Sequence, residues 1–186
     1  MKLGIVSDTH GFFDRRLEDL LAGVGAILHA GDVGAQEVLD ELGKIAPLRA
    51  VRGNTDPASL GLPPKVTSAY EGVQVEILHQ LAAVQADVEK WAKQSQAGES
   101  GTRRRDLFLQ SFAPRTRVVI FGHSHQPCLA TLAGRLFFNP GSAGRQRFSL
   151  PRSCGLLEVS PEYVQATLFS LEQYNETLKV RLPFGG

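Results

Sequence analysis

Seven polar residues that could bind metal ions stand directly after short apolar segments of the sequence. They are Asp8, His10, Asp32, Asn54, His79, His123 and His125. Asp8 and His10 are two positions apart, and at the end of an extended strand this spacing places both side chains on the same side. Carboxylate and imidazole ligands suit Mn, Fe, Co, Ni or Zn ions. The set contains no thiolate, which argues against a structural zinc site.

Each member of the set also has an ordinary structural explanation. An aspartate after a strand commonly caps a helix or forms a turn, and Asn54 could form a simple Asx turn. A histidine beside a core strand is commonly no more than hydrogen-bonded. These explanations weaken when the residues are taken together, because four of the five histidines fall at the ends of apolar segments. The fifth, His29, lies within such a segment, and we expect it to be structural or to support a ligand from behind.

Strand–helix units in the first sixty residues predict how these side chains are positioned. Residues 3–6, 26–30 and 48–51 are short and apolar, as is typical of buried strands. Asp14 can cap a helix with apolar residues at positions 17, 20, 21 and 24, and a second helix is predicted over residues 35–43 with Gly43 as its end. This alternation predicts right-handed crossovers and a parallel sheet, whose ligand sites lie at the carboxyl ends of the strands.

The remainder of the chain predicts further strands and two helices. Glu71 and Gly72 form the turn of a predicted hairpin, and residues 117–121 form a buried strand before His123. Helices are expected over residues 81–93 and from Arg103, with a polar loop at 94–102 between them. The later strand-like segments indicate a second, largely antiparallel sheet; they lie at 128–132, 135–138, 155–159, 163–171 and 177–182. We expect the two sheets to pack as one sandwich with helices outside.

Length and composition are those of an ordinary globular protein. The 186 residues fit one domain, and a hydrophobic fraction of 42% with 21% charged residues is close to the globular average. A formal net charge of +1 argues against a stable nucleic-acid partner, which would require a basic excess. No apolar segment is long enough to span a membrane, and the start lacks the apolar core of a signal peptide. With only two cysteines, a cytoplasmic protein without a membrane partner is expected.

Six polar motifs follow one another along the chain in a highly specific order. They are Asp8-Thr9-His10, Gly31-Asp32, Gly53-Asn54-Thr55-Asp56, His79, Gly122-His123-Ser124-His125 and Asn139-Pro140-Gly141-Ser142. In this order the chain resembles the calcineurin-like metallophosphoesterase superfamily, and within it the small bacterial and archaeal phosphodiesterase branch. The resemblance implies an α/β fold, a four-layer αββα sandwich of two mixed sheets flanked by helices, as a single domain over residues 1–186.

The resemblance also implies a centre of two divalent metal ions that share Asp32 as a bridging ligand. The first ion would be bound by Asp8, His10, Asp32 and His125, and the second by Asp32, Asn54, His79 and His123. Manganese is the expected metal, with Fe, Ni, Co or Zn as alternatives. The implied reaction is hydrolysis of a small phosphodiester, or alternatively a phosphomonoester, by attack of a hydroxide that bridges the metals. Asp32, Asn54 and His123 are the catalytic residues expected on this basis.

Two other functions stay open at this point. One is a catalytically silent scaffold of the same fold, and the other is a nuclease that acts on short oligonucleotides. Asp32 speaks against the scaffold, because the scaffold branch departs from the motif order at that position. The chain could also form a homo-oligomer.

The chain departs from the family's pattern at three places. Thr55 stands where related enzymes have a histidine that protonates the leaving group, so a steep dependence on leaving-group acidity is expected. Gln80 follows His79 where the branch usually has glycine. The segment at 81–113 is longer than is usual in the branch, and it is expected to form a lid or an oligomer contact.

The end of the motif series is interpreted structurally. Residues 139–142 indicate a tight turn in preference to a substrate contact. Arg145, Arg147 and Arg152 follow this turn and could meet a phosphate, although solvation at the surface is favoured for them.

Overall fold

The computed structural model describes residues 1–146 and 149–184, which contain eleven strands and four α-helices. The strands are β1 (Lys2–Val6), β2 (Ala26–His29), β3 (Leu48–Ala50), β4 (Lys65–Tyr70), β5 (Val73–Leu78), β6 (Thr116–Ile120), β7 (Cys128–Leu132), β8 (Arg135–Asn139), β9 (Ser153–Val159), β10 (Tyr163–Ser170) and β11 (Asn175–Pro183). The helices are α1 (Arg16–Leu20), α2 (Gln36–Ile45), α3 (Gln85–Gln96) and α4 (Arg103–Gln110).

The strands form two mixed sheets. The first has the order β11-β10-β9-β1-β2-β3, in which β1, β2 and β3 are parallel and β9 runs antiparallel to β1. The second has the order β4-β5-β6-β8-β7, in which β5, β6 and β8 are parallel and each edge strand is antiparallel to its neighbour. The predicted strand–helix units of the first sixty residues therefore form the parallel part of the first sheet.

The apolar side chains lie in three layers between four layers of secondary structure. Ile5 and Leu28 of the first sheet share the central layer with Ile77 and Ile120 of the second. Outside the first sheet a second apolar cluster includes residues of α1 and α2, and outside the second sheet a third cluster includes residues of α3 and α4. The predicted αββα sandwich of two mixed sheets flanked by helices is confirmed.

The later strands do not form a sheet of their own, contrary to the prediction. Strands β7 and β8 complete the second sheet beside β6, whereas β9, β10 and β11 extend the first sheet beside β1. Alternating apolar residues indicate a strand with one buried face, but they do not indicate which sheet that strand joins. The antiparallel character predicted for β9, β10 and β11 is correct.

The helices differ from the prediction mainly at their ends. Helix α1 ends at Leu20 and is continued by turns, although Leu21 is buried as the apolar spacing predicts. Helix α2 continues past Gly43 to Ile45, because Leu42 before the glycine and Ile45 after it both pack in the apolar cluster outside the first sheet. A glycine within a helix costs about 1 kcal/mol relative to alanine, which such packing can exceed.

The segment at 81–113 supplies the helical layer over the second sheet. Trp91 of α3 lies against Phe108 of α4, with ring centroids 5.5 Å apart, and Phe108 lies 5.5 Å from Phe137 of β8. The buried carboxylate of Glu76 accepts a hydrogen bond from the Ala113 amide at 2.7 Å and thereby fixes the end of the segment to β5. Its expected role as a lid or an oligomer contact stays a prediction. No helix among the described residues is long and apolar enough to cross a membrane.

Candidate metal centre

The seven predicted ligands follow five strands, β1, β2, β3, β5 and β6, and come together at one edge of the sandwich. Backbone hydrogen bonds join the loops that carry them. The His10 amide donates to the carbonyl of Asp32 at 2.9 Å, and the Gly122 amide donates to the carbonyl of His79 at 2.9 Å. The second of these bonds links the loops after β5 and β6, and the first links the loops after β1 and β2.

The first predicted ligand set is compact. Nε2 of His125 lies 3.2 Å from Oδ1 of Asp8 and 3.2 Å from Nε2 of His10. Nε2 of His10 lies 3.8 Å from Oδ2 of Asp32. One donor atom each from Asp8, His10 and His125 lie within 4.8 Å of one another, as the ligands of a single ion must.

The second set is arranged around the side-chain oxygen of Asn54. Nε2 of His79 and Nδ1 of His123 each lie 3.0 Å from this Oδ1 atom. Nε2 of His79 also lies 3.4 Å from Oδ2 of Asp32. Asp8, Asp32 and His79 are buried, whereas Asn54 and His123 are exposed. The centre is therefore open to solvent on the side of Asn54 and His123.

The residues present fit divalent metal ions. Oδ1 of Asp8 is buried and, among the described residues, has no hydrogen-bond partner, although Nε2 of His125 lies nearby. A buried carboxylate oxygen without a partner is costly, and a cation would satisfy it. Nδ1 of His79 lies 2.8 Å from the carbonyl of Ala30 and donates to it, which leaves Nε2, 3.4 Å from Oδ2 of Asp32, as the ring nitrogen that would bind a metal ion. Metal-binding histidines are commonly oriented by such a bond.

The backbone at the centre is strained. Eight non-glycine residues in the described part of the chain have a positive φ, and five of them belong to the predicted ligand set. These five are Asp8, His10, Asp32, His123 and His125, with φ between 47° and 72°. Left-handed backbone at residues with a Cβ is uncommon and clusters at functional sites. The strain thus marks these loops independently of the residue types.

Two glycines of the motifs make room for the carboxylates. A Cβ on Gly53 would collide with Oδ1 and the backbone nitrogen of Asp32. A Cβ on Gly122 would collide with the hydroxyl of Ser7 and with Oδ2 of Asp8. The glycines that precede Asn54 and His123 are therefore required by close packing against the two buried aspartates.

Hydrogen bonds set the charge of Asp32 and His79. Burial would raise the pKa of Asp32, but the His79 imidazole and the Thr55 amide bond to the ionised form and hold the pKa well below its usual range. Burial would lower the pKa of His79, but its bond to Asp32 and the nearby charge of Asp8 raise the pKa above its usual value. Asp32 is consequently an anion at neutral pH, as a bridging ligand must be.

His29 supports the loops and contributes no donor to the centre. Its Nδ1 accepts a hydrogen bond from the Gly31 amide at 3.2 Å, and its Nε2 lies 3.0 Å from the hydroxyl of Thr9. That hydroxyl donates in turn to the carbonyl of Val33 at 3.0 Å. Burial lowers the pKa of His29 to about 4, so the ring is neutral. Both ring nitrogens are occupied, so His29 has the structural role that the sequence predicts and cannot donate a proton to a substrate.

Asn139 and Ser142 hold two ligand loops from behind, a role that sequence reasoning missed. Nδ2 of the buried Asn139 donates to the carbonyl of Gly122 and lies 3.0 Å from the hydroxyl of Ser124. The hydroxyl of Ser142 donates to the carbonyl of Asp8 at 2.8 Å. The expected turn is thus also a brace for the loops after β1 and β6. In the sequence, only the position of this turn directly after a predicted strand indicated such a role.

The residues after Asn54 have structural roles. The Thr55 amide donates to Oδ1 of Asp32 at 2.9 Å, and the Thr55 hydroxyl lies 3.4 Å from Nδ1 of His10. The carboxylate of Asp56 accepts hydrogen bonds from the amides of Gly34 and Gly53, at 2.7 and 2.8 Å. Neither side chain supplies a general acid.

The arginines after the turn have different surroundings. Arg152 donates to the carbonyl of Gly144 and pairs with the carboxylate of Asp14, and it is therefore neutralised. Arg145 is exposed and lies over the ring of Phe12, with 4.7 Å between its guanidinium carbon and the ring centroid. Arg147 lies outside the described residues.

Comparison with known proteins agrees with this geometry. The model of the calcineurin-like phosphoesterase superfamily domain matches residues 1–162. A probable metallophosphoesterase of Methanocaldococcus jannaschii is 31% identical over 179 residues, which cover 93% of this chain and 83% of the relative. A probable metallophosphoesterase of Methanothermobacter thermautotrophicus is 30% identical over 175 residues, which cover 90% of this chain and 91% of the relative.

Solved structures share the fold. Vps29 from Entamoeba histolytica, crystallised in complex with Zn²⁺, superposes with a TM-score of 0.72 at 20% identity, and the superposition covers all of both chains. Yfce, a phosphoesterase from E. coli, superposes with a TM-score of 0.67 at 21% identity and covers 98% of this chain and 100% of the other. With the family match over most of the sequence and the donors gathered at the predicted edge, the chain belongs to the calcineurin-like phosphoesterase superfamily.

Proposed function

We propose that this metal-dependent phosphoesterase hydrolyses phosphodiesters at a centre of two divalent metal ions. The observation that carries the proposal is the position of Asp32. Its Oδ2 atom lies 3.8 Å from Nε2 of His10 and 3.4 Å from Nε2 of His79, so one carboxylate faces both ligand sets. Its other oxygen accepts the Thr55 amide, which fixes the carboxylate in this orientation.

The distances around Asp32 and Asn54 support the two ligand sets that the family resemblance implies. Asp8, His10 and His125 with Asp32 would hold the first ion, and Asn54, His79 and His123 with Asp32 the second. When bound, two such ions supply a nucleophile at neutral pH and offset the negative charge that develops on the phosphoryl oxygens. Manganese is the proposed metal, and Fe, Ni, Co or Zn would also suit nitrogen and oxygen donors without thiolate.

Three residues of the set have distinct tasks in the proposed reaction. Asp32 bridges the ligand sets, while Asn54 supplies a neutral oxygen that leaves the centre attractive to a phosphate anion. His123 lies on the solvent-exposed side, where a substrate would enter, and its backbone amide donates to Oδ2 of Asp8 at 3.1 Å. This bond fixes the loop of His123 against the buried end of the centre.

A catalytically silent scaffold is the main alternative, since several structural neighbours are Vps29 proteins. The complete donor set favours an enzyme, as does Oδ1 of Asp8, a buried carboxylate oxygen that has no hydrogen-bond partner among the described residues and only the His125 imidazole nearby. A nuclease acting on short oligonucleotides is a narrower case of the same diesterase chemistry.

The test combines metal analysis with an activity screen. Purified protein reconstituted with Mn²⁺ should bind two ions per chain and hydrolyse bis(4-nitrophenyl) phosphate faster than 4-nitrophenyl phosphate. Stoichiometric metal binding without turnover of any mono- or diester would indicate the scaffold. Turnover of the monoester alone would replace the proposed diesterase with a phosphatase.

A further inference from the structure

Two cavities border the exposed part of the metal centre. The apolar pocket, formed by residues 80–85 and 121–124, has a volume of about 250 Å³ and includes His123. The polar cavity, formed by residues 52–54, 56, 58, 64, 65 and 78–80, has a volume of about 530 Å³ and includes Asn54 and His79. Gln80 lines both. A phosphate bound at the centre would thus have two separate cavities next to it.

The apolar pocket suits a compact apolar group. Leu81, Ala83 and Phe121 are buried in its walls, and Val84 at its rim is 65% exposed. Val84 is one of five large hydrophobic residues exposed in the described part of the chain. The side-chain oxygen of Gln85 is occupied, because it accepts hydrogen bonds from the Ser124 hydroxyl and from Nδ2 of Asn139. An apolar cavity of about 150 Å³ can hold benzene, so this pocket has room for a substituted ring.

The polar cavity, unlike the apolar pocket, has charged side chains in its lining. Arg52 is exposed and forms no ion pair among residues 1–146 and 149–184. Lys65 is paired with the buried carboxylate of Glu76. The carboxylate of Asp56 is held by two backbone amides. Arg52 is therefore the cation in this lining that is available to an anionic group.

We propose that the substrate is an unsymmetrical phosphodiester with one compact apolar substituent and one anionic substituent. The apolar substituent lies in the apolar pocket, and the anionic substituent lies in the polar cavity near Arg52. This inference rests on the proposed function. Water adds across one P–O ester bond, so the products are an alcohol and a phosphomonoester. A phosphomonoester substrate would use one cavity only, whereas a diester uses both.

Phosphonates test the apolar pocket because their C–P bond is not hydrolysed. Inhibition constants of phenylphosphonate, methylphosphonate and inorganic phosphate are measured against bis(4-nitrophenyl) phosphate with the Mn²⁺-loaded protein. Phenylphosphonate should bind at least about tenfold more tightly than methylphosphonate, since burying a ring removes far more apolar surface from water. Equal constants for the two phosphonates would overturn the proposal.

The variant Val84→Ser tests whether the preference for phenylphosphonate arises in the apolar pocket. Val84 is the N-cap residue of α3 and has extended backbone, a position at which serine is preferred, so the variant should fold. It should reduce the preference for phenylphosphonate about fourfold and leave the constant for inorganic phosphate within about twofold. Leu107→Ser is the matched control, because Leu107 is 57% exposed on α4 and lines neither cavity. The same loss of preference in both variants would overturn the assignment to this pocket.

Arg52→Gln tests the other side. This variant should raise the inhibition constant of 2-carboxyethylphosphonate about fivefold. Propylphosphonate has a similar length and no charge at its end, and its inhibition constant should change by less than about twofold. Equal effects on both compounds would overturn the proposal that an anionic substituent binds near Arg52. A different result would refute the proposed function itself. In that case the Mn²⁺-loaded protein would hydrolyse no phosphoester and would not bind inorganic phosphate. Hydrolysis and phosphate inhibition without the phenyl preference would refute this inference alone.

Discussion

Nε2 of His10 and Nε2 of His125 lie 3.2 Å apart. Two neutral imidazoles at this distance can share one proton, or both can direct a lone pair at a cation. The buried Oδ1 atom of Asp8, 3.2 Å from Nε2 of His125, adds a negative charge at the same point and favours the cation. Because this close arrangement favours a bound cation, we expect the protein to be less stable when the metal is removed.

Removal of metal should abolish phosphodiester hydrolysis and lower the melting temperature. A ligand present at 100 times its dissociation constant stabilises the native state by about 2.7 kcal/mol, which corresponds to about 5–10 °C for a chain of this size. Activity and thermal unfolding are measured after chelation and dialysis, and again after Mn²⁺ is restored. Full hydrolysis by protein that is verified to be free of metal would contradict the proposed function.

Asp32→Asn should lower turnover by at least about 100-fold while the fold survives. Even residues behind a metal ligand contribute about 10–100-fold when they are replaced, and Asp32 faces both ligand sets directly. Asparagine has nearly the same shape, and its oxygen can still accept the Thr55 amide. Turnover, bound metal and far-UV circular dichroism are measured together. Asp40→Asn on the exposed face of α2 is the control and should behave as wild type. Wild-type turnover of Asp32→Asn with two metals bound would show that the bridging charge is dispensable.

Gly53→Ala should remove bound metal, whereas Gly43→Ala should not. The added Cβ at position 53 would displace Asp32, while position 43 of α2 has no atom within 4 Å of an added Cβ. Replacing a helical glycine by alanine should stabilise the chain by about 0.5–1 kcal/mol. Metal content and thermal unfolding of both variants are measured. If Gly53→Ala fails to fold, Gly122→Ala provides a second case, because its Cβ would meet Ser7 and Asp8. Two bound metals in both site variants would refute the packing argument.

The rate should depend steeply on the acidity of the leaving group. A positioned general acid contributes about 10²–10⁴ in rate, and Thr55, Asp56 and His29 are all engaged in other ways. A series of substituted phenyl diesters gives the dependence of the chemistry-limited rate on phenol pKa. Thr55→His should make this dependence shallower, since it places an imidazole beside the centre. A flat dependence in the wild type would reveal a proton donor elsewhere.

The positions of the ligands could be predicted because they follow buried strands, and parallel strands end at the same edge. The left-handed backbone of Asp8, Asp32 and His123 could not, because only a small minority of aspartates and histidines adopt it and the sequence does not mark which ones. The sheet that β9 joins could not be predicted either, because β9 pairs with β1, whose residues are more than a hundred positions away in the sequence. The brace formed by Asn139 required knowledge of its buried contacts.

Strand β1 pairs with β2 on one side and with β9 on the other, although β9 begins only at Ser153. During synthesis β2 follows β1 closely, whereas β9 is made more than a hundred residues later. Contacts between distant parts of a chain form slowly, because the intervening loop must first be closed. We therefore expect β1 of the nascent chain to be paired with β2 alone until β9 has been synthesised, and the loop that carries Asp8 to become fixed only after that.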